Sequence, residues 1–270
     1  MPDDRPIGMF DSGFGGLTVA RATIDLLPEE DLVYLGDSGR YPYGPRRQDE
    51  VRVFAQQIMR RLVEVDDVKL VVVACNTAAA AALDVLRSET SVPVVGVIEP
   101  GVRSLVGATT SGRVGIIGTV GTIASGAYQK AVADTGADVE LTCAACPGFV
   151  EFVERGDTAS EQVHVLAERL LAPVVDAGVD ALLLGCTHYP YLARTISDVV
   201  GREVVLVSSA DETAFEIESL LASGGPAEPA TPGRGGTHRF LSSGDPDRFV
   251  EVGFRLLGPE LATAERITWP

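Results

Sequence analysis

Positive charge is scarce in this sequence, and lysine is nearly missing from it. Lysine and arginine together number 22 against 38 aspartate and glutamate residues, which leaves a formal net charge of −16. Only Lys69 and Lys130 are lysines. Nucleic acids and anionic membranes are bound through a basic patch that meets phosphate groups, so this balance argues against both partners. Two lysines also leave few candidates for an enzyme that works through a lysine imine.

Long hydrophobic runs are missing too. No apolar run reaches the length of about 20 residues that spans a bilayer, and residues 1–6 (MPDDRP) lack the basic region and the apolar run of a signal peptide. Hydrophobic residues still make up 46% of the 270 positions, enough for a large core. We therefore expect a cytoplasmic protein of one large or two ordinary α/β domains, with no membrane contact.

Cysteine is sparse, and its spacing forms no regular framework. The four cysteines are Cys75, Cys143, Cys146 and Cys186, which fits a reducing compartment. Cys143 and Cys146 form a single C-x-x-C pair. Zinc would need two further ligands, and a redox pair of this kind lacks its aromatic neighbour here, so we expect structural cysteines and no metal.

The two other cysteines stand in matching contexts. Residues 71–74 and 181–184 are apolar runs typical of buried strands, and each run is followed within two residues by a cysteine, small polar residues and a predicted helix start. The pattern places Cys75 and Cys186 at the C-terminal end of a strand and at the mouth of a helix. The alternative is that both are small buried hydrophobes, as most free cysteines are.

A thiol at the mouth of a helix has a reason to be reactive. The thiolate is the nucleophilic and basic form, and the pKa of a cysteine falls near a helix N-terminus or a basic neighbour. His188 follows Cys186 by two residues and can lower the pKa of the thiol when protonated or orient the thiol when neutral. We expect Thr77 to cap the helix after Cys75, and Pro190 to lie in the first helical turn after Cys186.

A glycine-rich turn follows the first predicted strand. Residues 6–10 lead into Asp11-Ser12-Gly13-Phe14-Gly15-Gly16-Leu17-Thr18 and then into a helix at about 17–27. Backbone N–H groups in such a turn face an anion. Thr18 stands where a dinucleotide fingerprint needs its last glycine, and a Walker lysine is missing. A tight turn without a ligand is the alternative.

Strands and helices alternate along the rest of the chain. Further strands are predicted at 31–35, 92–98, 113–119, 138–142, 203–207 and 237–242, and helices at 48–65, 76–87, 122–134, 149–155, 161–176, 187–200, 210–222 and 246–257. Residues 36–46 and 223–236 read as loops, and Glu99-Pro100-Gly101 as a turn where the chain crosses between domains. Alternation of this kind predicts mostly parallel sheets with ligands at their C-terminal edges.

The second half of the chain repeats the pattern of the first. Residues 113–119 resemble residues 7–12, and Gly115 lies 107 residues after Gly8, while the two cysteines of the matching motifs lie 111 residues apart. We interpret this near-constant offset as a divergent internal duplication. Each half then contributes one cysteine to the functional edge of its sheet.

Six motifs carry a resemblance to a known family. They are residues 7–19 (IGMFDSGFGGLTV), 34–46 (YLGDSGRYPYGPR), 73–77 (VACNT), 95–101 (VGVIEPG), 118–122 (GTVGT) and 184–191 (LGCTHYPY). In this order they closely resemble the glutamate racemases of the aspartate/glutamate racemase superfamily, over about residues 6–220. Residues 146–154 are similar as well, although Gly148 and Glu151 depart from the family's usual leucine and proline.

The resemblance implies an activity and a set of site residues. The family interconverts L- and D-glutamate without a cofactor or a metal, through two cysteines that face opposite sides of the α-carbon. Cys75 and Cys186 look like this acid/base pair, Asp11 like the residue that assists Cys75, and Glu154 with His188 like the pair that assists Cys186. Positions similar to those that hold the substrate's amino and carboxylate groups are Asp11, Ser12, Pro42, Tyr43, Gly44, Asn76, Thr77, Thr119, Thr187 and His188.

The family also implies an architecture and a setting. The fold implied is α/β, with two pseudo-symmetric doubly wound domains and an active site in the cleft between them. Residues 1–97 with 208–270 would form one domain and 98–207 the other. A homodimer that supplies D-glutamate for peptidoglycan synthesis is expected. Some members bind a cell-wall precursor through an N-terminal extension, and we expect no such regulation here because six residues precede the first strand.

Four other readings compete with this one. Aspartate racemase is the nearest, but residues 186–190 and 41–44 look more like the glutamate enzymes. A one-cysteine decarboxylase relative is disfavoured because both cysteine motifs are intact. Cys75 and Cys186 could instead form a thiol–disulfide redox pair. Finally, some glutamate racemases resemble gyrase inhibitors in a second role, which at this charge would act through protein contact and not through direct nucleic-acid binding.

Overall fold

Strands and helices alternate along the chain in the computed structural model, which describes residues 2–269. Within that range the strands are β1 Ile7–Asp11, β2 Leu32–Gly36, β3 Leu70–Val73, β4 Val94–Gly96, β5 Arg113–Gly118, β6 Glu140–Ala145, β7 Ala181–Gly185, β8 Val205–Ser208, β9 His238–Ser242 and β10 Glu265–Arg266. The helices are α1 Leu17–Leu26, α2 Gln48–Glu64, α3 Asn76–Glu89, α4 Ile98–Ala108, α5 Val120–Ala124, α6 Ala127–Asp134, α7 Phe149–Glu154, α8 Glu161–Asp176, α9 Ala193–Val200, α10 Ser209–Ala222 and α11 Pro246–Leu257, with a 3-10 turn at Tyr189–Leu192. No helix within the described range is long and apolar enough to cross a membrane.

The strands form two sheets, and every strand pairing in them is parallel. The larger sheet has the order β10-β9-β2-β1-β3-β4 and the smaller sheet the order β6-β5-β7-β8. The inner strands β1, β2, β3 and β7 are buried along their whole length, as expected of strands that helices cover on both faces. The predicted α/β class with mostly parallel sheets is therefore confirmed.

The two sheets share one strand order and one register. Four neighbouring strands run β2-β1-β3-β4 in the larger sheet, and β6-β5-β7-β8 repeats that order in the smaller. Gly8 pairs with Val71 and Gly115 with Leu182. Val71 and Leu182 each lie four residues before a cysteine of the matching motifs. This agreement in topology and register supports the internal duplication inferred from the sequence.

Two long helices connect the sheets. α4 leads from the larger sheet to the smaller, α10 leads back, and the two pack against each other. Leu105 of α4 and Ile217 of α10 belong to the same hydrophobic core as β1 to β4, together with Leu183 of β7. A second cluster lies between the smaller sheet and α8 with α9. The predicted domain limits at 97/98 and 207/208 fall beside the starts of these two helices, and they stay a prediction.

Some local predictions were wrong. Glu99-Pro100-Gly101 was expected to form a turn but lies in the first turns of α4, where proline is tolerated because early helical N–H groups have no partner within the helix. The predicted helix 122–134 is interrupted between α5 and α6, where Gly126 has a φ of 73°. β6 begins and ends later than predicted, and β10 was not predicted at all.

Thr77 does not cap α3, contrary to our expectation. Cys75, and not Thr77, holds the cap position, with extended backbone. Thr77 lies inside the first turn, and its hydroxyl bonds those of Thr119 and Thr122 instead. Pro190 does lie in the first helical turn after Cys186, although that turn is 3-10.

Candidate active site

A cavity of about 120 Å³ is lined by residues at the C-terminal ends of strands from both sheets. Parallel strands bind ligands at this edge because loops and helix N-termini converge there. All the predicted site residues except Glu154 line the cavity: Asp11, Ser12, Pro42, Tyr43, Gly44, Cys75, Asn76, Thr77, Thr119, Cys186, Thr187 and His188. The larger sheet thus contributes Cys75 to its wall and the smaller sheet Cys186.

Cys75 lies beside a buried carboxylate. The thiol follows β3 at the mouth of α3, and Asp11 ends the neighbouring strand β1. Burial, and after it the charge of Asp11, raise the pKa of the Cys75 thiol well above its usual value, while N–H groups of Ser12 and Ala78 act in the opposite direction. The neutral thiol is therefore the favoured form of Cys75 in this setting.

The glycine-rich turn binds an anion that belongs to the chain itself. The N–H groups of Gly13 and Gly16 donate to Oδ2 of Asp11 at 3.3 and 3.0 Å. The turn was expected to face an anion, and it holds the Asp11 carboxylate in place next to Cys75. The other oxygen of Asp11, Oδ1, is buried and has no hydrogen-bond partner within residues 2–269.

Cys186 lies beside a buried histidine. Nδ1 of His188 is 3.9 Å from Sγ of Cys186, and Nε2 is 3.2 Å from Oε1 of Glu154. Burial alone would lower the pKa of His188, but its hydrogen bonds to Cys186 and Glu154 raise that pKa to about 10. The imidazole is therefore protonated at neutral pH, and an imidazolium stabilises negative charge on the adjacent sulfur. Glu154 does not line the cavity, but its carboxylate bonds the imidazole of His188, which does.

A close contact between the glycine-rich turn after β1 and the residues after β7 positions this histidine. A Cβ atom on Gly15 would lie 2.3 Å from Nδ1 of His188 and 2.5 Å from Oγ1 of Thr187. The absence of a side chain at Gly15 therefore lets the turn after β1 pack on the residues after β7. Sequence reasoning attributed this glycine to the turn alone, because no local pattern indicates a contact across 173 positions.

Polar groups complete the wall of the cavity. The hydroxyls of Thr77, Thr119 and Thr122 lie 2.9 to 3.0 Å apart, which joins α3 to the start of α5. Nδ2 of Asn76 donates to the hydroxyl of Tyr128 at 2.7 Å, whereas Oδ1 of Asn76 is buried without a hydrogen-bond partner in the described chain. Buried polar atoms of this kind are usually satisfied, so Oδ1 of Asn76 is an atom that a polar ligand would bond.

Sequence reasoning missed part of the lining. Cys146 and Glu151 face the cavity, and burial raises the pKa of the Cys146 thiol to about 12. Cys146 directly follows β6, so its position after a strand was the signal that could have found it. Cys143 lies within β6 and outside the lining. Among residues 2–269, no group of three or more His, Cys, Asp or Glu side chains is placed to hold a metal ion.

Comparisons with known proteins agree with this geometry. Residues 17–214 match the family model described as Asp/Glu/Hydantoin racemase. A glutamate racemase of Acidothermus cellulolyticus is 53% identical over 95% of this chain and 96% of its own length.

Two solved structures share the fold over nearly the whole chain. A glutamate racemase isoform from Bacillus anthracis superposes with a TM-score of 0.89 at 39% identity, covering 98% of this chain and 97% of its own. A glutamate racemase from Francisella tularensis, solved in complex with D-glutamate, superposes with a TM-score of 0.90 at 32% identity and covers 98% of both chains.

Proposed function

Because the chain belongs to the Asp/Glu/Hydantoin racemase family, and within it to the glutamate racemases, we propose that it interconverts L- and D-glutamate by proton transfer between two cysteines and the α-carbon, without a cofactor. The observation that carries the two-cysteine mechanism is the position of Cys75 and Cys186. The two thiols leave equivalent strands of two sheets and line one cavity. A reaction that inverts one carbon atom needs a proton donor on the face opposite the base, because a single base tends to return the proton to the side it left.

In each direction one sulfur is the base and the other is the acid. The thiolate takes the α-proton onto Sγ, and the electron pair of the broken C–H bond stays on the α-carbon. The opposite thiol then gives its proton to the other face and becomes a thiolate. The number of protons on the pair is conserved, so the product state is ready for the reverse reaction.

The residues beside the two sulfurs favour negative charge on one of them over the other. Asp11 disfavours negative charge on Cys75, whereas the protonated His188 favours it on Cys186. We propose that Cys75, whose neutral form is favoured, is the acid in the resting enzyme, and that Cys186, beside the imidazolium of His188, is the base for the first turnover. Asp11 then assists Cys75 by favouring the thiol that delivers its proton to the α-carbon, and Glu154 keeps His188 charged and oriented.

Substrate binding relies on neutral donors. No arginine or lysine is among the residues that line the cavity in the described chain, and His188 is its one cationic side chain. We propose that hydroxyl, amide and backbone groups of Ser12, Tyr43, Gly44, Asn76, Thr77, Thr119 and Thr187, with Pro42 packed beside them, hold the amino and carboxylate groups. In a closed, dry site such preorganised donors also stabilise the charge that develops on the substrate.

The first experiment is exchange in D₂O. The purified protein, free of pyridoxal phosphate, is incubated with L-glutamate, and loss of the α-proton by NMR is followed alongside optical activity. We expect deuterium incorporation and decay of optical activity together. Exchange of aspartate in place of glutamate would contradict the substrate, and exchange of neither amino acid would contradict the enzyme. Counting thiols before and after a mild oxidant tests the redox alternative, in which two thiols disappear reversibly.

We further propose a biological setting. The expected product, D-glutamate, would supply peptidoglycan synthesis in the cytoplasm, and the active form would be a homodimer. Membership of the glutamate racemases supports both points. Depletion of the protein should stop growth unless D-glutamate is added to the medium, and sedimentation at micromolar concentration should give twice the mass of the 28.4 kDa chain.

A further inference from the structure

A buried carboxylate behind the active site joins the cavity wall to the C-terminal segment of the chain. Asp37 directly follows β2 and is fully buried. Its Oδ2 accepts hydrogen bonds from Nε of Arg40 at 2.7 Å and from the hydroxyl of Tyr43. Its Oδ1 accepts from Oγ of Ser243 at 2.6 Å and from Nε1 of Trp269 at 2.9 Å.

Trp269 makes a second contact in the same cluster. The guanidinium carbon of Arg40 lies 4.2 Å from the ring centre of Trp269 and 4.2 Å from that of Phe54, so the cation is held between two aromatic faces. The segment before Trp269 is itself anchored, because the N–H of Ile267 donates to the carbonyl of Ser242 at 2.9 Å. The last residues of the described chain thus fasten the loop that follows β2.

The loop that follows β2 is the part of the cavity lining that contacts α5, beyond the first strand of the smaller sheet. Burial, and after it Asp37, raise the pKa of the Tyr43 hydroxyl, so it stays a hydrogen-bond donor. The next residue, Gly44, accepts a hydrogen bond from the N–H of Gly121 at 3.0 Å. Nε2 of Gln48 donates to the carbonyl of Gly121, also at 3.0 Å. Asp37 therefore holds Tyr43, and through it Gly44, in the position that makes the hydrogen bond to Gly121 beside the cavity.

We propose that Asp37 and Trp269 form a latch that positions residues 41–44 for substrate binding. The two are positioning residues, since neither lines the cavity, and the assignment rests on the proposed function because it concerns the glutamate site. Four donors satisfy both oxygens of this buried carboxylate, and buried hydrogen-bond networks of this kind restrict the groups they join to one arrangement. Removing the latch leaves the chemistry at the sulfurs intact but lets the wall move away from the substrate.

The test separates the latch from general stability. Trp269→Phe keeps an aromatic face on Arg40 and removes the N–H donor, Trp269→Ala removes both, and Ser243→Ala removes the other donor to Oδ1. Thr268→Ala, at an exposed neighbouring position, is the control. We expect the KM for L-glutamate to rise about 3- to 10-fold in Trp269→Ala, and by less in the two milder variants, with kcat within about twofold of wild type. This rise is the range expected for the net loss of a typical intramolecular hydrogen bond.

A second measurement needs no activity. Amide hydrogen exchange of residues 40–46 should be faster in Trp269→Ala than in wild type and Thr268→Ala, while exchange in β1 and β3 is unchanged. Unchanged exchange of residues 40–46 overturns the latch, as does a fall of kcat and melting temperature at constant KM. If the wild-type protein does not racemise glutamate, the proposed function fails, and hydrogen exchange still decides whether Trp269 holds the loop.

Discussion

Cys75 and Cys186 follow equivalent strands, β3 and β7, at the same register, but Cys75 lies beside the carboxylate of Asp11 and Cys186 beside the imidazolium of His188. The carboxylate of Asp11 lies beside Cys75 and raises its pKa, after the larger effect of burial. The imidazole of His188, whose pKa is raised to about 10, lies 3.9 Å from the sulfur of Cys186. The two similar halves of the fold thus place two thiols beside neighbours of opposite charge, and environments that differ in this way divide a pair of titratable groups into acid and base.

Replacing either of these cysteines should stop racemisation. We expect Cys75→Ser and Cys186→Ser each to lower the rate about 10²- to 10⁴-fold, the contribution typical of one positioned acid or base. Each variant keeps one sulfur, so slow deuterium exchange without inversion should persist for one enantiomer. Cys143→Ser, which changes a thiol outside the cavity, is the control. Racemisation at the wild-type rate in either single variant would contradict the two-base mechanism.

The charge on His188 should set the alkaline limit of activity. The pKa of His188, about 10, is above the ordinary value of 6.5. The protonated imidazole therefore stabilises the folded state fully below about pH 6.5, and this contribution is lost as the pH rises through 10. Glu154→Gln removes one group that raises this pKa, so the alkaline limb of the kcat profile should move to lower pH. The same shift should appear in the NMR titration of the imidazole.

The control for this prediction is Glu168→Gln, a change at an exposed position of α8 beside the partly exposed His164. It changes the same charge away from the site and should leave the pH profile in place. An alkaline limb that stays at the wild-type pH in Glu154→Gln would show that Glu154 does not support the imidazolium.

A methyl group at Gly15 should disturb His188, which packs on this glycine from the other sheet. In Gly15→Ala the new Cβ would lie 2.3 Å from Nδ1 of His188, so the imidazole or the turn must shift from its present position beside Cys186. We expect kcat to fall about tenfold or more and stability to fall by about 1–3 kcal/mol, as for overpacking of a close contact. Activity assays and thermal unfolding measure the two effects.

Gly107→Ala is the matched control for Gly15→Ala. A Cβ there has nothing within 4 Å, and Gly107 lies inside α4. Alanine in a helix is more stable than glycine by about 0.5–1 kcal/mol, so this variant should gain stability and keep its activity. Equal effects of the two substitutions would mean that the contact with His188 has no functional role.

The charge of Glu151 should weaken the binding of an acidic substrate. This carboxylate lines the cavity at a position where the family usually has proline. Glutamate carries two carboxylates, so Glu151→Gln should lower its KM about two- to fivefold, with the larger effect at low ionic strength. Glu140→Gln, an exposed change in β6, should leave KM unaltered. A KM that rises in Glu151→Gln would indicate that the carboxylate binds the substrate's amino group instead.

Many of the strands and helices were predicted from local sequence patterns. The apolar runs before Cys75 and Cys186 predicted β3 and β7 to within one or two residues, and the helices 161–176 and 246–257 were predicted with their observed bounds. Runs of four to six apolar residues and helical spacing are properties of neighbouring positions, so they survive in a single sequence. The near-constant offset of the two halves also anticipated the shared strand order.

Only the tertiary structure decided which of these residues meet. The sequence determined two parallel α/β halves and a thiol after a strand in each, and its motifs pointed to the family. It did not indicate that Gly15 packs on His188, that Asp37 bonds Trp269, or that Thr77 bonds Thr119 in place of capping a helix. Those contacts join positions 42 to 232 residues apart. They depend on which distant segments the tertiary fold brings together, within one sheet or across both, and no short-range pattern of residue types encodes that arrangement.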